Sequence, residues 1–223
     1  MKVLILVLAS DTDERYSKLQ SYWRRYMNSS PEIDCYFYKG DPTLQEDAVL
    51  DSSSNTLWLK INESWDTILQ KTKMAFKFFS NAPYDFIFRT NLSSFVYFDR
   101  YLEYCRGLQR SEFCSAAMGL FDTIPFPSGS GYTLTPDLMK RIADAEYPQN
   151  NVPDDVYVGF CLQQWNIPIH QAIRIEFYYP EDRFKPLDKC FHLRIKSFFT
   201  VEDDWAAFEM LTVTEGLRLA NNA

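Results

Sequence analysis

The run KVLILVLAS, Lys2–Ser10, decides the fold class. It is apolar without alternation and closes on small and polar residues. A strand with one wet face would alternate, so an unbroken run fits a central strand covered on both faces. The segment after it, DTDERYSKLQSYWRRYM, puts Tyr16, Leu19, Tyr22, Trp23 and Tyr26 near helical spacing. DCYFYKG, Asp34–Gly40, then predicts a second strand. Strand, helix, strand at the start of a chain predicts a parallel sheet of the nucleotide-binding type.

Further along, PTLQEDAVLDSSSN reads as a polar connection and Thr56–Ile61 as a third strand. SWDTILQKTKMAFKFFSN predicts a helix with Ser64 as N-cap and Trp65, Ile68, Leu69, Met74, Ala75 and Phe78 as its apolar residues. Asp85–Arg89 reads as a buried strand, followed at once by the polar cluster Thr90-Asn91-Leu92-Ser93-Ser94 and a short helix, FDRYLEYCRGL. FCSAAMGLFDTIPF is strand or loop, a helix starts near Thr135, and NNVPDDVYVGFCLQQWNI is a loop running into another helix. No repeat, low-complexity tract or linker divides the chain, so one domain is expected over 1–223. The end EGLRLANNA suggests a chain cut from a longer protein.

Composition narrows the function classes. Hydrophobic residues make up 46%, with 18 Phe, 14 Tyr and 5 Trp, enough for a full core. A net charge of −7 argues against a general nucleic-acid binder, which needs a basic face. One phosphorylated small molecule needs only a few local cations. The five cysteines show no C-x-x-C spacing and read as free thiols in the core, in a reducing compartment. The apolar N-terminal run is too short to span a bilayer and lacks a cleavage site, so a cytoplasmic protein without a membrane span is expected.

Four stretches carry candidate chemistry. The cluster Arg89–Ser94 lies at the exit of a buried strand, where α/β proteins place ligands. Its Asn and Ser oxygens suit a ligand-facing rim or a divalent-cation shell, and equally a helix N-cap. SGSGYTL, Ser128–Leu134, is either a tight turn or a close approach of backbone to a ligand. In VPDDVYVGFCL, Asp154 and Asp155 open a helix: capping accounts for one, and the other is free for general-base work. In FHLRIKS, Phe191–Ser197, an extended backbone puts His192, Arg194 and Lys196 on one face, a diphosphate clamp or a solvated strand face. His170 reads as structural.

The order of these stretches is more specific than any one of them. NESWDTILQKT from Asn62, RTNLSSFV from Arg89, GSGYTLT from Gly129 and DDVYVGFCL from Asp154 resemble, in sequence order, the D-S-Y-x-N-L-T-L-K-T, K-x-D-D-D-V-F-V, G-G-G-Y-x-L-S and E-D-V-Y-V-G segments of the β1,3-galactosyltransferase-like family. FRTNLSSF with HLRIKS is similar also to viral glycosyltransferase domains that act on a major capsid protein. The resemblance implies an α/β GT-A fold, a Rossmann-like, mixed, mostly parallel central sheet flanked by helices. It also implies a UDP-sugar donor, a glycan or glycoprotein acceptor, and Mn²⁺ or Mg²⁺.

By the same resemblance the D-x-D motif falls on Asn91-Leu92-Ser93, with Asn91, Ser93 and His192 as the metal set. The donor nucleotide falls to Ala9, Ser10, Glu63, Lys71, Arg89, Asn91, Arg194 and Lys196. The sugar or acceptor pocket falls to Gly129, Ser130, Gly131 and Tyr132. Asp154 and Asp155 stand where the family keeps its catalytic carboxylate, with Asp155 favoured. Both D-x-D acids are replaced by neutral side chains, so the metal is expected only together with the diphosphate. A catalytically inactive sugar-nucleotide or glycan binder is the alternative. A sugar-1-phosphate nucleotidyltransferase would need a basic Gly-rich loop where LASDTDER is acidic.

Overall fold

A computed structural model describes residues 1–146, 152–179, 182, 187, 190–196 and 201–222, with side chains in the last segment only for 202–214. In chain order the elements are β1 Val3–Leu8, α1 Glu14–Arg24, β2 Ile33–Gly40, β3 Ala48–Asp51, β4 Thr56–Leu59, α2 Ile68–Phe79, β5 Phe86–Asn91, β6 Ser94–Val96 and α3 Phe98–Arg106. They continue as β7 Cys114–Phe121, β8 Ile124–Leu134, α4 Pro136–Asp144, α5 Asp154–Gln164, β9 Ile169–Gln171, β10 Arg174–Phe177, β11 His192–Ile195 and α6 Val201–Asn222.

Eight strands form one mixed sheet in the order β3-β4-β2-β1-β5-β8-β7-β9. Four of its seven pairings are parallel: β4 with β2, β2 with β1, β1 with β5, and β7 with β9. The unbroken apolar run of β1 has the expected cause. Val3, Ile5 and Val7 face a core layer shared with α1, α3 and α6, while Leu4 and Leu6 face a second layer shared with α2, α4 and α5. Each of these five side chains is fully buried, which stabilises by about 1.5–3 kcal/mol apiece relative to exposure. No helix among the described residues is long and apolar enough to cross a membrane.

A second sheet, β10-β11-β6, is small and sits on the first layer. The chain leaves the large sheet at Asn91 and enters the small one at Ser94, so Leu92 and Ser93 form the turn between the two sheets. The N-cap reading of this cluster is therefore corrected, because Tyr97 precedes α3 and Asn91 ends a strand. The indole N–H of Trp23 on α1 pins the turn by donating to the Leu92 carbonyl at 3.2 Å. Direction in the large sheet reverses at this point: β2 lies on one side of β1 and β5 on the other. Such a switch point opens a crevice at the carboxyl ends of the strands.

Three other expectations need correction. The polar stretch after β2 contains β3, an edge strand antiparallel to β4. Its residues are only partly covered, so the buried alternation that announces a strand is missing. SGSGY is not a turn but the middle of β8, and neither Gly129 nor Gly131 has a positive φ. The helix expected from Ser64 begins as a 3-10 turn, Trp65–Thr67, closed by a capping box between Ser64 and Thr67. Trp65 is 85% exposed, off the apolar face on which its spacing put it.

Candidate functional site

The crevice is organised by the segment Ser128–Gly131. Gly129 is packed so closely that a Cβ would lie 2.8 Å from Asp155 Oδ2 and 3.1 Å from Arg89 Nη1. At Gly131 a Cβ would lie 2.4 Å from His192 Cε1 and 2.6 Å from Phe88 Cζ. These glycines are required for space rather than for backbone freedom. They let β5, α5 and β11 converge on one strand.

The two acids at the start of α5 divide sharply. Asp154 is 4% exposed and turned inward. Its Oδ2 pairs with Arg89 Nη2 at 2.6 Å and accepts from Thr72 Oγ1 at 2.9 Å. Arg89 also donates from Nε to Tyr38 Oη at 3.0 Å, and from Nη1 to the Gly129 carbonyl. Burial raises the Asp154 carboxyl above its ordinary value against the pull of Arg89, and burial likewise pushes the Tyr38 phenol up to about 12. This pair is the internal brace of the site. Asp155 is only half-buried: Oδ2 accepts from the Gly129 amide at 2.8 Å and Oδ1 from the Val156 amide at 2.9 Å. Neither acid caps α5 from the N-cap position, which Pro153 holds.

The turn residues form a neutral chain. Ser93 Oγ donates to Asn91 Oδ1 at 2.8 Å, and Asn91 Nδ2 reaches the Gly129 carbonyl at 3.4 Å. Ser94 Oγ donates to the Ser130 carbonyl at 2.6 Å. Toward His192 Nε2, 3.1 Å away, the same oxygen must therefore accept, which puts the ring proton on Nε2. Burial, with Arg174 and then Arg194 nearby, holds the His192 imidazole down to about 3, so it is neutral at pH 7.

The expected metal set of Asn91, Ser93 and His192 is thus brought to one place, yet it fits a divalent cation poorly. It has no carboxylate, the nearest imidazole nitrogen is a donor, and two arginines stand beside it. Mn²⁺ and Mg²⁺ call for anionic oxygen. Among the described residues no group of three or more His, Cys, Asp or Glu side chains could hold a metal.

Two residues that sequence reasoning passed over, Arg174 and Glu176, complete the crevice around Arg194. Arg174 on β10 donates from Nη1 to Ser128 Oγ at 2.7 Å and to Ser130 Oγ, and pairs through Nη2 with Glu176. Arg194 sits across from Glu176, with Nη1 at 3.9 Å from its carboxylate. Lys196 is exposed just past β11, and Ser197 lies outside the described residues.

On the β1 side, Ala9 is buried and its amide donates to the Tyr38 carbonyl, while Ser10 Oγ meets Thr12 Oγ1 at 2.9 Å. Lys39, buried at the end of β2, pairs with Asp11 at 2.7 Å. Glu63 accepts from the Gly40 amide at 2.8 Å and pairs with buried Lys71, so these two join α2 to the end of β2. Tyr132 is fully buried beneath the Arg89 guanidinium, 5.8 Å from ring centre to Cζ, and forms floor rather than pocket. His170 is exposed, stacked on Phe113. A cavity of ≈ 800 Å³ opens elsewhere, between α3 and Gln171–Ile173, and none of these site residues lines it.

No protein-family model matches the chain, and no curated protein sequence matches it. Solved structures do. A glycosyltransferase involved in glycosylation of the major capsid of PBCV-1 superposes with a TM-score of 0.58 at 11% identity, over 94% of this chain and 100% of that one. The glycosyltransferase GlyE of Streptococcus pneumoniae TIGR4 superposes with a TM-score of 0.54 at 12% identity. That match takes in 100% of this chain and 64% of the length of GlyE. The chain has a glycosyltransferase fold, and the mixed, mostly parallel sheet expected from sequence is the one observed.

Proposed function

We propose that the chain is a glycosyltransferase that moves a hexose or deoxyhexose, glucose-like or rhamnose-like, from a UDP-sugar to a glycan or glycoprotein acceptor. The observation that carries this reading is the half-buried Asp155 carboxylate, held by the Gly129 amide at 2.8 Å beside the Asn91–Ser93 turn, at the switch point of a glycosyltransferase-type sheet. Ala9, Ser10 and the Lys39–Asp11 pair at the ends of β1 and β2 offer the nucleoside its place. Asn91, Arg174 and Arg194 offer hydrogen bonds to the phosphates, and Gly129–Gly131 leave room for the sugar.

In the reaction the bond from the anomeric carbon to the diphosphate oxygen breaks, and the electron pair leaves with the diphosphate. The acceptor oxygen forms the new bond. If configuration inverts, Asp155 takes the acceptor proton. If it is retained, the departing phosphate oxygen takes it and Asp155 orients the acceptor. Likeness to the capsid glycosyltransferase supports a viral glycan as acceptor and the cytoplasm of an infected cell as the place of action. Asp155→Asn is expected to keep UDP binding and lose at least ~100-fold in transfer, the lower range for a general base. Unchanged transfer by this variant would remove Asp155 from the mechanism.

The neutral Asn91 and Ser93 favour one second reading, an inactive binder of sugar nucleotides or glycans. Slow hydrolysis of a UDP-sugar by the chain separates the two, since a binder releases no sugar.

A further inference from the structure

The small sheet carries a charge arrangement that the large one does not explain. β10 and β11 run parallel with Arg174 opposite His192 and Glu176 opposite Arg194. Side chains two apart on a strand share a face, so all four stand on one face. Ser94, opposite Arg194 on β6, joins them. His192 is neutral, so among the described residues two guanidinium groups and one carboxylate leave an excess of one positive charge on this face.

That excess is poorly solvated. The Arg174 side chain is 11% exposed and that of Arg194 is 28% exposed. The Nε of each is buried without a hydrogen-bond partner among the described residues. Burial, against the pull of Glu176 and with Arg194 nearby, also lowers Arg174 from the usual arginine range. A buried surplus cation with unused donors is costly unless an anion completes it. The cluster is continuous with the crevice: Arg174 holds Ser128 and Ser130 by their hydroxyls, and the Ser130 carbonyl is held by Thr90 at 2.5 Å and by Ser94 at 2.6 Å.

Resting on the glycosyl-transfer reading, we propose that Arg174 and Arg194 bind the donor diphosphate in place of a divalent cation, so that donor binding and transfer need no metal. Planar guanidinium forks suit phosphate oxygens and retain their charge when buried. As the anomeric bond breaks, charge gathers on the leaving phosphate oxygen, and donors already in place stabilise it. The Asn91–Leu92–Ser93 turn then needs no acids, because acids there would compete with the phosphates for the arginines.

The test uses the full chain in EDTA, with inorganic pyrophosphate and UDP as probes followed by calorimetry, and UDP-sugar hydrolysis followed separately. Binding of both probes in EDTA is expected, with added Mn²⁺ changing affinity less than threefold. Arg194→Gln should weaken both probes at least tenfold, and Arg194→Lys should recover only part of the loss. Arg174→Gln should act in the same direction, but its burial threatens folding, so the more exposed Arg194 carries the test. Pyrophosphate binding that requires Mn²⁺, or that survives Arg194→Gln unchanged, overturns the proposal and leaves glycosyl transfer standing. Metal-free pyrophosphate binding lost in Arg194→Gln, with no hydrolysis of any UDP-sugar, supports the anion site and sinks the transferase reading instead.

Discussion

Replacing Asp154 by Asn should damage the fold, while the same change one residue later should damage only the chemistry. The Arg89 and Asp154 side chains are 2% and 6% exposed, and their charged atoms are 2.6 Å apart. Removing one partner of a buried pair costs about 3–5 kcal/mol, mainly because the other charge is left uncompensated. Asn keeps an oxygen near Thr72 and Arg89, so the lower end, about 3 kcal/mol, applies to Asp154→Asn. With a urea m-value of about 3 kcal/mol/M for a chain of this size, the midpoint should fall by about 1 M.

Asp155→Asn, half-buried and bonded only to backbone amides, should move the midpoint by less than about 0.3 M. The double variant Arg89→Met with Asp154→Leu should recover part of the loss, because it removes both charges together. Equilibrium urea unfolding at pH 7, followed by tryptophan fluorescence, measures all three. An Asp154→Asn midpoint within 0.2 M of the parent, on the same scale of about 3 kcal/mol/M, would refute the idea that the pair braces the site.

Gly131→Ala should lower stability by about 1–3 kcal/mol, since its Cβ would meet two buried rings, His192 and Phe88. For a chain of this length that is a fall in Tm of roughly 2–12 °C, and an unchanged Tm would show that the rings yield freely. Acid should weaken the fold through His192. Its folded pKa is held down to about 3 from 6.5, so its contribution is whole above pH 6.5 and is lost as pH falls toward 3. Between pH 7 and pH 5 the loss is about 2 kcal/mol. Urea midpoints measured at both values should converge in His192→Asn, and an equal fall in that variant would assign the effect to other groups.

The strands β1 and β5 were legible because burial on both faces leaves an apolar run, a local signature. The glycines of SGSGY were visible as special, but not the reason: without β11 and α5 in place nothing shows that a Cβ would meet His192 or Asp155. The resemblance favoured Asp155 of the two adjacent acids, but the physical reason is not local, since Asp154 is taken by Arg89, some 65 positions away. Arg174 was invisible for the same cause. In HQAIRIEFYY it is one alternating residue of a short strand, and only the register with β11 sets it beside His192. His192 and Arg194 were placed on one face correctly, but Lys196 beyond them stays in solvent. Local pattern wrote the scaffold, and long-range pairing wrote the charges.

The five buried thiols give the fold a clock. Cys35, Cys105 and Cys190 sit in the core layer beneath α1, α3 and α6, and Cys114 and Cys161 in the layer beneath α2, α4 and α5. Burial pushes the Cys105 and Cys161 thiols up to about 12, so in the closed protein they are protonated as well as shielded. A thiol reagent therefore reacts only when a layer opens, and its rate counts openings. With peptide mapping of the modified cysteines, the two sides of one sheet can be timed separately, without adding a probe.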